Sequence, residues 1–148
     1  MRKRTAILAF ITVATVGLVS VNSPSTAAPV AGTVASTQLG AVLVGGTEVP
    51  DPGDPDGFGF ADVRVERGEV CWRISVRAVA PIVAAHLHAG ARGVSGPAVV
   101  SLEPYRSGCV ETTRRTARFI RQHPTEFYVN VHNAEFPAGA LRGQLRRV

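Results

Sequence analysis

Lysine is almost absent from this chain of 148 residues, because Lys3 is the only one and every other basic residue is arginine. The formal net charge is +5, but three of the 16 basic residues fall within the first four positions. Subtracting those three leaves 13 basic residues against 11 acidic ones, a net charge of +2. A nucleic-acid-binding domain normally concentrates basic charge on one face. The near-balanced charge argues against that class, and we expect no nucleic-acid partner.

A hydrophobic run long enough to span a membrane is also missing. The one apolar stretch, residues 6–21, is shorter than the about 20 residues that a membrane-spanning helix needs. It follows a basic triplet and precedes small residues, which is the pattern of a secretory signal peptide. We therefore predict a signal peptide over residues 1–28, a linker over residues 29–37 and one folded domain over residues 38–148. The mature protein would be secreted, with no membrane span after signal cleavage.

Cysteine is scarce as well, since Cys71 and Cys109 are the only two. An even number of cysteines in a secreted chain predicts a disulfide. The alternative, two free thiols that bind a metal, is less favoured because the chain has no C-x-x-C spacing. A bond that closes the 38-residue separation would stabilise the fold by about 4 kcal/mol in the chain-entropy account. We predict the Cys71–Cys109 disulfide.

What the chain does have is a series of short runs with alternating hydrophobicity. In "EVCWRISVRAV", Val70, Trp72 and Ile74 fall on one face of a strand, and Arg73 and Ser75 fall on the other. Glycine, proline and aspartate separate these runs, as is typical of turns between strands. Further strands are predicted over residues 39–44, 58–65, 82–88, 97–102, 127–132 and 140–148.

A single helix is predicted over residues 112–123, "TTRRTARFIRQH". Thr112 or Thr113 can cap its N-terminus, and Pro124 ends it. We interpret its arginines as a solvated face rather than a polyanion-binding one. The connections between strands are too short for repeated parallel crossovers. The predicted fold class is therefore all-β, an antiparallel Greek-key-like sandwich or barrel with one short helix.

Two histidines stand one residue apart in the segment "AAHLHAGARGVSGP". On a strand, His86 and His88 point to the same face, while Leu87 points the other way into a core. Imidazoles at that spacing can converge on one metal ion, with zinc–nitrogen bonds of about 2.0 Å. In "YVNVHN", His132 shares a strand face with Asn130 and supplies a third ligand if the two strands are neighbours. Ordinary hydrogen bonding by structural histidines is the alternative.

Other chemistry has weaker support in the sequence. No serine lies in a G-x-S-x-G frame, and the glycine-rich "GARGVSG" precedes a strand rather than a phosphate-binding helix. Asp51, Asp54 and Asp56 do not have the spacing of an EF-hand, so we interpret that segment as a solvated loop. His123 lies at the predicted helix end, where we expect it to interact with the helix C-terminus rather than with a metal.

Three segments together resemble the CHRD domain, the module that is repeated in chordin and found singly in secreted bacterial proteins. They are "GTEVP", "AAHLHAGARGVSGPAVVSL" and "EFYVNVHNAEFPAGALRGQL", and the resemblance extends from about residue 39 to residue 145. It implies an all-β extracellular module without an established enzymatic activity. One position departs from the family, because Ala140 stands where a glutamate is common. The matching family positions are Glu48, His86, His88, Gly90, Gly96, Pro97, Asn130, His132, Arg142 and Gly143.

Three functions are compatible with this resemblance and with the residues. The first, which we favour, is a secreted non-enzymatic module that binds a metal or a small ligand. The second is a copper/zinc superoxide-dismutase-like metalloenzyme, and the third is a cell-envelope or matrix interaction protein with structural histidines. Zinc and copper are the candidate cofactors, and the partner would be an unidentified extracellular protein or cell-envelope component. The predicted site consists of the metal ligands His86, His88 and His132 with Glu48, Asn130 and Arg142 in support.

Overall fold

The computed structural model describes residues 36–148 of the chain. The predicted signal peptide and most of the predicted linker lie outside this range. Within it, no helix is long and apolar enough to cross a membrane. The described part contains one α-helix, α1 (Arg114–Gln122). Its strands are β1 (Thr37–Val44), β2 (Phe58–Val65), β3 (Glu69–Arg77), β4 (Ile82–Ala89), β5 (Ala98–Ser101), β6 (Ser107–Glu111), β7 (Phe127–Asn133), β8 (Leu141–Gln144) and β9 (Arg146–Arg147).

The strands form one antiparallel sheet that curls into a nearly closed barrel. Neighbours in the sheet follow the order β5-β4-β7-β8-β1-β2-β3-β6, and β9 pairs with β1. Strands that are distant in sequence become neighbours, as β4 and β7 do, so long connections cross the barrel in a Greek-key-like manner. The predicted all-β antiparallel class with one helix is confirmed. A single continuous sheet makes the architecture a barrel rather than a sandwich of two sheets.

The barrel interior is formed by apolar side chains of strands β1 to β8. In β3, Val70, Trp72 and Ile74 are buried in the core, and Arg73 and Ser75 are exposed, as the alternation predicts. The other strands except β9, whose two arginines are exposed, add apolar side chains to the same core cluster or pack them against it. Burial of this kind stabilises a fold by about 25 cal/mol for each Å² of apolar surface removed from water. In β3 the alternating pattern therefore identifies the side that faces inward.

Strand β6 is the element that sequence patterning did not predict. Its residues alternate between half-buried and exposed, and it begins with a Ser-Gly pair that is typical of a turn. The strand pairs with the edge of β3, where Cys109 lies directly opposite Cys71. The two cysteines form the predicted disulfide, with their Cα atoms 4.0 Å apart. The bond joins paired positions of adjacent strands instead of linking a strand to a loop.

The predicted C-terminal strand is interrupted at one residue. Leu145 is fully buried, and its N–H donates to the carbonyl of Phe127 at 2.9 Å. Before this residue, β8 pairs with β7 and β1; after it, β9 pairs with β1 alone. Because Tyr128 pairs with Gln144, the Leu145 bond to Phe127 continues the register of β7 and β8 by one position, and β9 then keeps the register that β8 has with β1.

The single helix begins and ends where capping chemistry predicts. The Thr113 Oγ1 accepts the Thr116 N–H at 3.0 Å, which caps the N-terminus. At the other end the His123 N–H donates to the Phe119 carbonyl at 2.9 Å, and Pro124 follows. Its buried residues are Ala117 and Ile120, which belong to the core cluster.

The aspartate-rich segment after β1 is only partly a solvated loop. Asp51 and Asp56 are exposed, but Asp54 is buried. The Asp54 carboxylate accepts the backbone N–H groups of Asp56 and Gly57 at 3.1 and 3.0 Å. Interpreting Asp54 as a solvated side chain was therefore wrong, because this residue closes the loop by a local side-chain-to-backbone turn.

Candidate metal centre

The three candidate metal ligands lie together on the face of β4 and β7 opposite the core. These strands are neighbours, and residues that pair directly in an antiparallel ladder share a face. Leu87 and its partner Val129 are fully buried in the core. The adjacent pairs point the other way, and they are Ala84 with His132, His86 with Asn130, and His88 with Tyr128.

The imidazoles of His86, His88 and His132 converge. One ring nitrogen from each lies within 4.8 Å of the others. The Nδ1 of His86 lies 3.2 Å from the Nε2 of His132, and the His86 and His88 ring centroids are 5.6 Å apart. All three side chains are half-buried. The structure thus brings together the three histidines that the sequence analysis selected.

Backbone carbonyls orient two of these rings. The Nδ1 of His88 lies 2.9 Å from the Gly96 carbonyl, and the Nδ1 of His132 lies 3.1 Å from the Pro137 carbonyl. A carbonyl only accepts hydrogen bonds, so both Nδ1 atoms carry the proton and both Nε2 atoms keep a lone pair. Such a bond from the second ring nitrogen is the usual arrangement around histidines that bind a metal. The Nε2 of His88 is buried and has no hydrogen-bond partner in the described part of the chain.

Burial keeps these two histidines neutral. Desolvation lowers the pKa of His88 and of His132 below the ordinary value of 6.5. The carbonyl bonds raise each pKa in part, and the charge of His86 lowers it further. A neutral imidazole is the form that binds metals, because a protonated ring has no free lone pair.

An aromatic stack supports His88 from β7. Its ring lies on that of Tyr128, with centroids 4.9 Å apart and planes inclined by 14°. The Arg142 guanidinium lies 3.5 Å from the centre of the same tyrosine ring. The Tyr128 hydroxyl accepts the Gly96 N–H at 3.2 Å, next to the carbonyl that holds His88. Tyr128 is absent from the predicted site, and Gly96 was named only as a family position, since the role of its backbone carbonyl leaves no mark in a sequence.

Glu48 and Asn130 form a second, buried pair beside the histidines. The Asn130 Nδ2 donates to both carboxylate oxygens of Glu48, at 3.0 and 2.9 Å. Burial raises the pKa of Glu48 to about 7, against the opposing effects of the Arg142 charge and the Asn130 bond. Gly139 packs against this carboxylate so closely that an added Cβ would lie 2.6 Å from it.

Arg142 holds the loop that follows β4. It is buried, and its Nη2 donates to the carbonyls of Ala91 and Val94, each at 2.9 Å. The predicted supporting residues Glu48, Asn130 and Arg142 therefore bond to each other or to loops. They shape the surroundings of the histidine cluster.

Other candidate ligands lie elsewhere. His123 is at the end of α1, with its ring 4.8 Å from that of Phe119 and its Nδ1 3.9 Å from a Glu126 oxygen. Within residues 36–148, one other group has ligand atoms close enough for a metal, and it consists of Glu69, Cys71 and Cys109. Both of its sulfurs are used in the disulfide, so neither is available as a thiolate ligand.

Comparison with known proteins gives one clear result. Neither the curated proteins nor the solved structures include a significant match to this chain. The sequence model of the CHRD domain matches residues 39–145, a range that extends from β1 to Leu145 and contains the three clustered histidines. This range is well over half of the chain, and it confirms the resemblance seen in the sequence. The chain belongs to the CHRD domain family.

Proposed function

We propose that this domain is a secreted, non-enzymatic binding module that holds one zinc or copper ion through His86, His88 and His132. CHRD domains are extracellular, barrel-like modules of a generally non-enzymatic type, and the disulfide is compatible with an oxidising compartment. One observation carries the metal proposal. Carbonyl bonds fix the Nδ1 protons of His88 and His132, so both Nε2 atoms are unprotonated. Among the described residues, the His88 Nε2 has no hydrogen-bond partner, and the His132 Nε2 contacts only the His86 Nδ1, a contact that a bound metal would replace.

The spacing of the three nitrogens suits a single ion. Two nitrogens that bind one tetrahedral zinc are about 3.4 Å apart, from bonds of about 2.0–2.1 Å. The candidate ligand atoms lie within 4.8 Å of each other. Small rotations of the half-buried rings, which move each nitrogen by about 1 Å, would bring the three atoms to the spacing of a metal site. A metal would also give the buried His88 Nε2 a partner, and an unpaired buried polar atom otherwise costs about 1–3 kcal/mol.

Three protein ligands leave one coordination position open. In proteins such a position takes water or an external donor group. A carboxylate or imidazole from an extracellular protein or cell-envelope component could fill it, so the ion would link the module to its partner. The alternative of a two-metal, superoxide-dismutase-like enzyme has less support, because the described residues outside the cluster offer no second set of free ligands.

The experiment is metal analysis of protein purified without a histidine tag. Zinc and copper content is measured for the wild type and for His86→Ala, His88→Ala and His132→Ala, with His123→Ala as the matched control. We expect one equivalent of metal in the wild type and the control, and its loss in the other three variants. Equal metal content in wild type and His88→Ala, or no metal binding by the wild type, would overturn the proposal. Superoxide turnover by the metal-loaded wild type would overturn its non-enzymatic part.

A further inference from the structure

A groove outside the histidine cluster lies beside β1 and β8. Its volume is about 260 Å³, and its lining includes Val42, Arg92, Gln144 and Arg146. A smaller depression of about 40 Å³ shares three of these residues and adds Arg142. The groove therefore continues along the loop after β4 towards β8. None of its lining residues is a candidate metal ligand.

The charge of the groove is entirely positive. Arg92 and Arg146 are exposed, and no acidic residue lines either cavity. The ion pairs within residues 36–148 lie elsewhere, and neither includes these two arginines. The charge of Arg92 also reaches Arg142, where it contributes to a lowered pKa. Like charges that surround one cavity repel each other, and an anion between them removes that cost.

Hydrogen bonds hold the walls of the groove in place. The Gln144 Nε2 lies 2.7, 2.8 and 2.9 Å from the carbonyl oxygens of Gly90, Thr125 and Phe127, which share its two N–H donors. The two bonds from Arg142 anchor the loop that carries Arg92. The backbone on both sides of Arg92 is thus held before any ligand binds, and Arg146 is held by its pairing with Gly40 of β1. Such preorganisation reduces the entropy lost on binding.

The floor of the groove is apolar. Val42 lies on β1 with 36% of its surface exposed, and the buried Leu145 also lines the groove. Small-molecule sites typically combine an apolar wall with a few placed polar groups. A ligand that matches this groove carries a negative group at one end and an apolar portion at the other.

We propose that the groove binds a small organic oxyanion, with its carboxylate, sulfate or phosphate group between the guanidinium groups of Arg92 and Arg146. Each guanidinium presents a planar fork of N–H donors that pairs with two oxygens of such a group. This site does not depend on the metal proposal, because it uses other residues and another chemistry.

The test is an NMR titration of the purified protein with inorganic phosphate, sulfate, acetate and butyrate, each at constant ionic strength. We expect saturable shifts of the backbone amides around Arg92 and Arg146. Comparison of phosphate with acetate identifies the preferred anion, and butyrate tests the apolar floor. Arg92→Gln and Arg146→Gln should each weaken the tightest of these probes about tenfold, the effect of losing one charged hydrogen bond.

Arg67→Gln is the matched control, because Arg67 is exposed in the turn between β2 and β3 and lines neither cavity. It should bind the probe like the wild type. Shifts that do not saturate with any of the four anions would overturn the proposal. Equal weakening in Arg67→Gln would overturn it as well, because general charge attraction would then explain the binding.

Discussion

The Nδ1 of His86 lies 3.2 Å from the Nε2 of His132, although the two residues are 46 positions apart in the chain. This contact depends on the register of β4 and β7, which places His132 opposite Ala84, two residues before His86. A shift of that register by one residue would turn the histidines towards the core. The cluster is therefore a property of the sheet and not of the H-x-H motif alone.

The two faces of β4 should respond differently to alanine. Leu87→Ala removes a fully buried side chain, and we expect it to lower the free energy of unfolding by about 2–5 kcal/mol. His86→Ala, on the opposite face, should cost less than about 1 kcal/mol but abolish metal binding. Urea unfolding and metal titration of both variants measure the two effects. If His86→Ala lowered the free energy of unfolding as much as Leu87→Ala does, the placement of His86 on the outer face of β4 would be contradicted.

Gly96 should be sensitive because its backbone holds His88. An added Cβ there would lie 1.6 Å from the Ala89 carbonyl oxygen, so Gly96→Ala must displace the loop. We expect this variant to bind zinc at least about tenfold more weakly, since partners in the second coordination shell contribute 10–100-fold to affinity. Gly46→Ala is the matched control, because its Cβ would meet nothing within 4 Å. Unchanged zinc affinity in Gly96→Ala, measured by competition with a chelator, would argue against this support.

Glu48 should make stability depend on pH. Burial raises its pKa from an ordinary 4.5 to about 7, so between these values the folded protein holds a proton that the unfolded chain releases. The contribution of this group to stability therefore falls as pH rises from 4.5 to 7, by on the order of 3 kcal/mol.

Replacing this carboxyl tests the effect. Glu48→Gln removes the titration, so its unfolding free energy should vary less over this pH range than that of the wild type. Glu111→Gln, at an exposed position of β6, should keep the wild-type slope. Urea unfolding at a series of pH values provides the comparison. Parallel curves for Glu48→Gln and the wild type would show that Glu48 does not carry the effect.

The disulfide should contribute substantially to stability. Cys71→Ser with Cys109→Ser removes a link across 38 residues, and we expect the free energy of unfolding to fall by about 4 kcal/mol. Wild-type protein unfolded in the presence of a reductant should show the same loss. Denaturant curves that coincide with and without the bond would contradict this account.

Much of the fold follows from local pattern, and the exceptions have identifiable causes. Alternation in the β3 segment correctly predicts its buried face because each apolar residue there meets the core directly. Strand β6 was not predicted because it is a short edge strand with little buried surface. The burial of Asp54 was also missed, because it depends on how the whole loop packs and no local pattern specifies that packing.

The candidate site was predictable only in part. The period of a strand puts His86 and His88 on one face, and the same pattern in "YVNVHN" adds His132 if the two strands are neighbours. The pairing of β4 with β7 brings these together, and no local pattern specifies it. The carbonyls of Gly96 and Pro137, which decide the ring orientations, lie in loops whose conformation depends on contacts with distant residues such as Arg142.

Anomalous diffraction at the zinc absorption edge tests the central claim most directly. In crystals of the wild-type protein grown with zinc, we predict one strong peak about 2.0–2.1 Å from the Nε2 atoms of His88 and His132 and from one ring nitrogen of His86. The same measurement at the copper edge, on crystals grown with copper, tests the other candidate metal. Zinc-loaded crystals with no peak among the three histidines would contradict the claim.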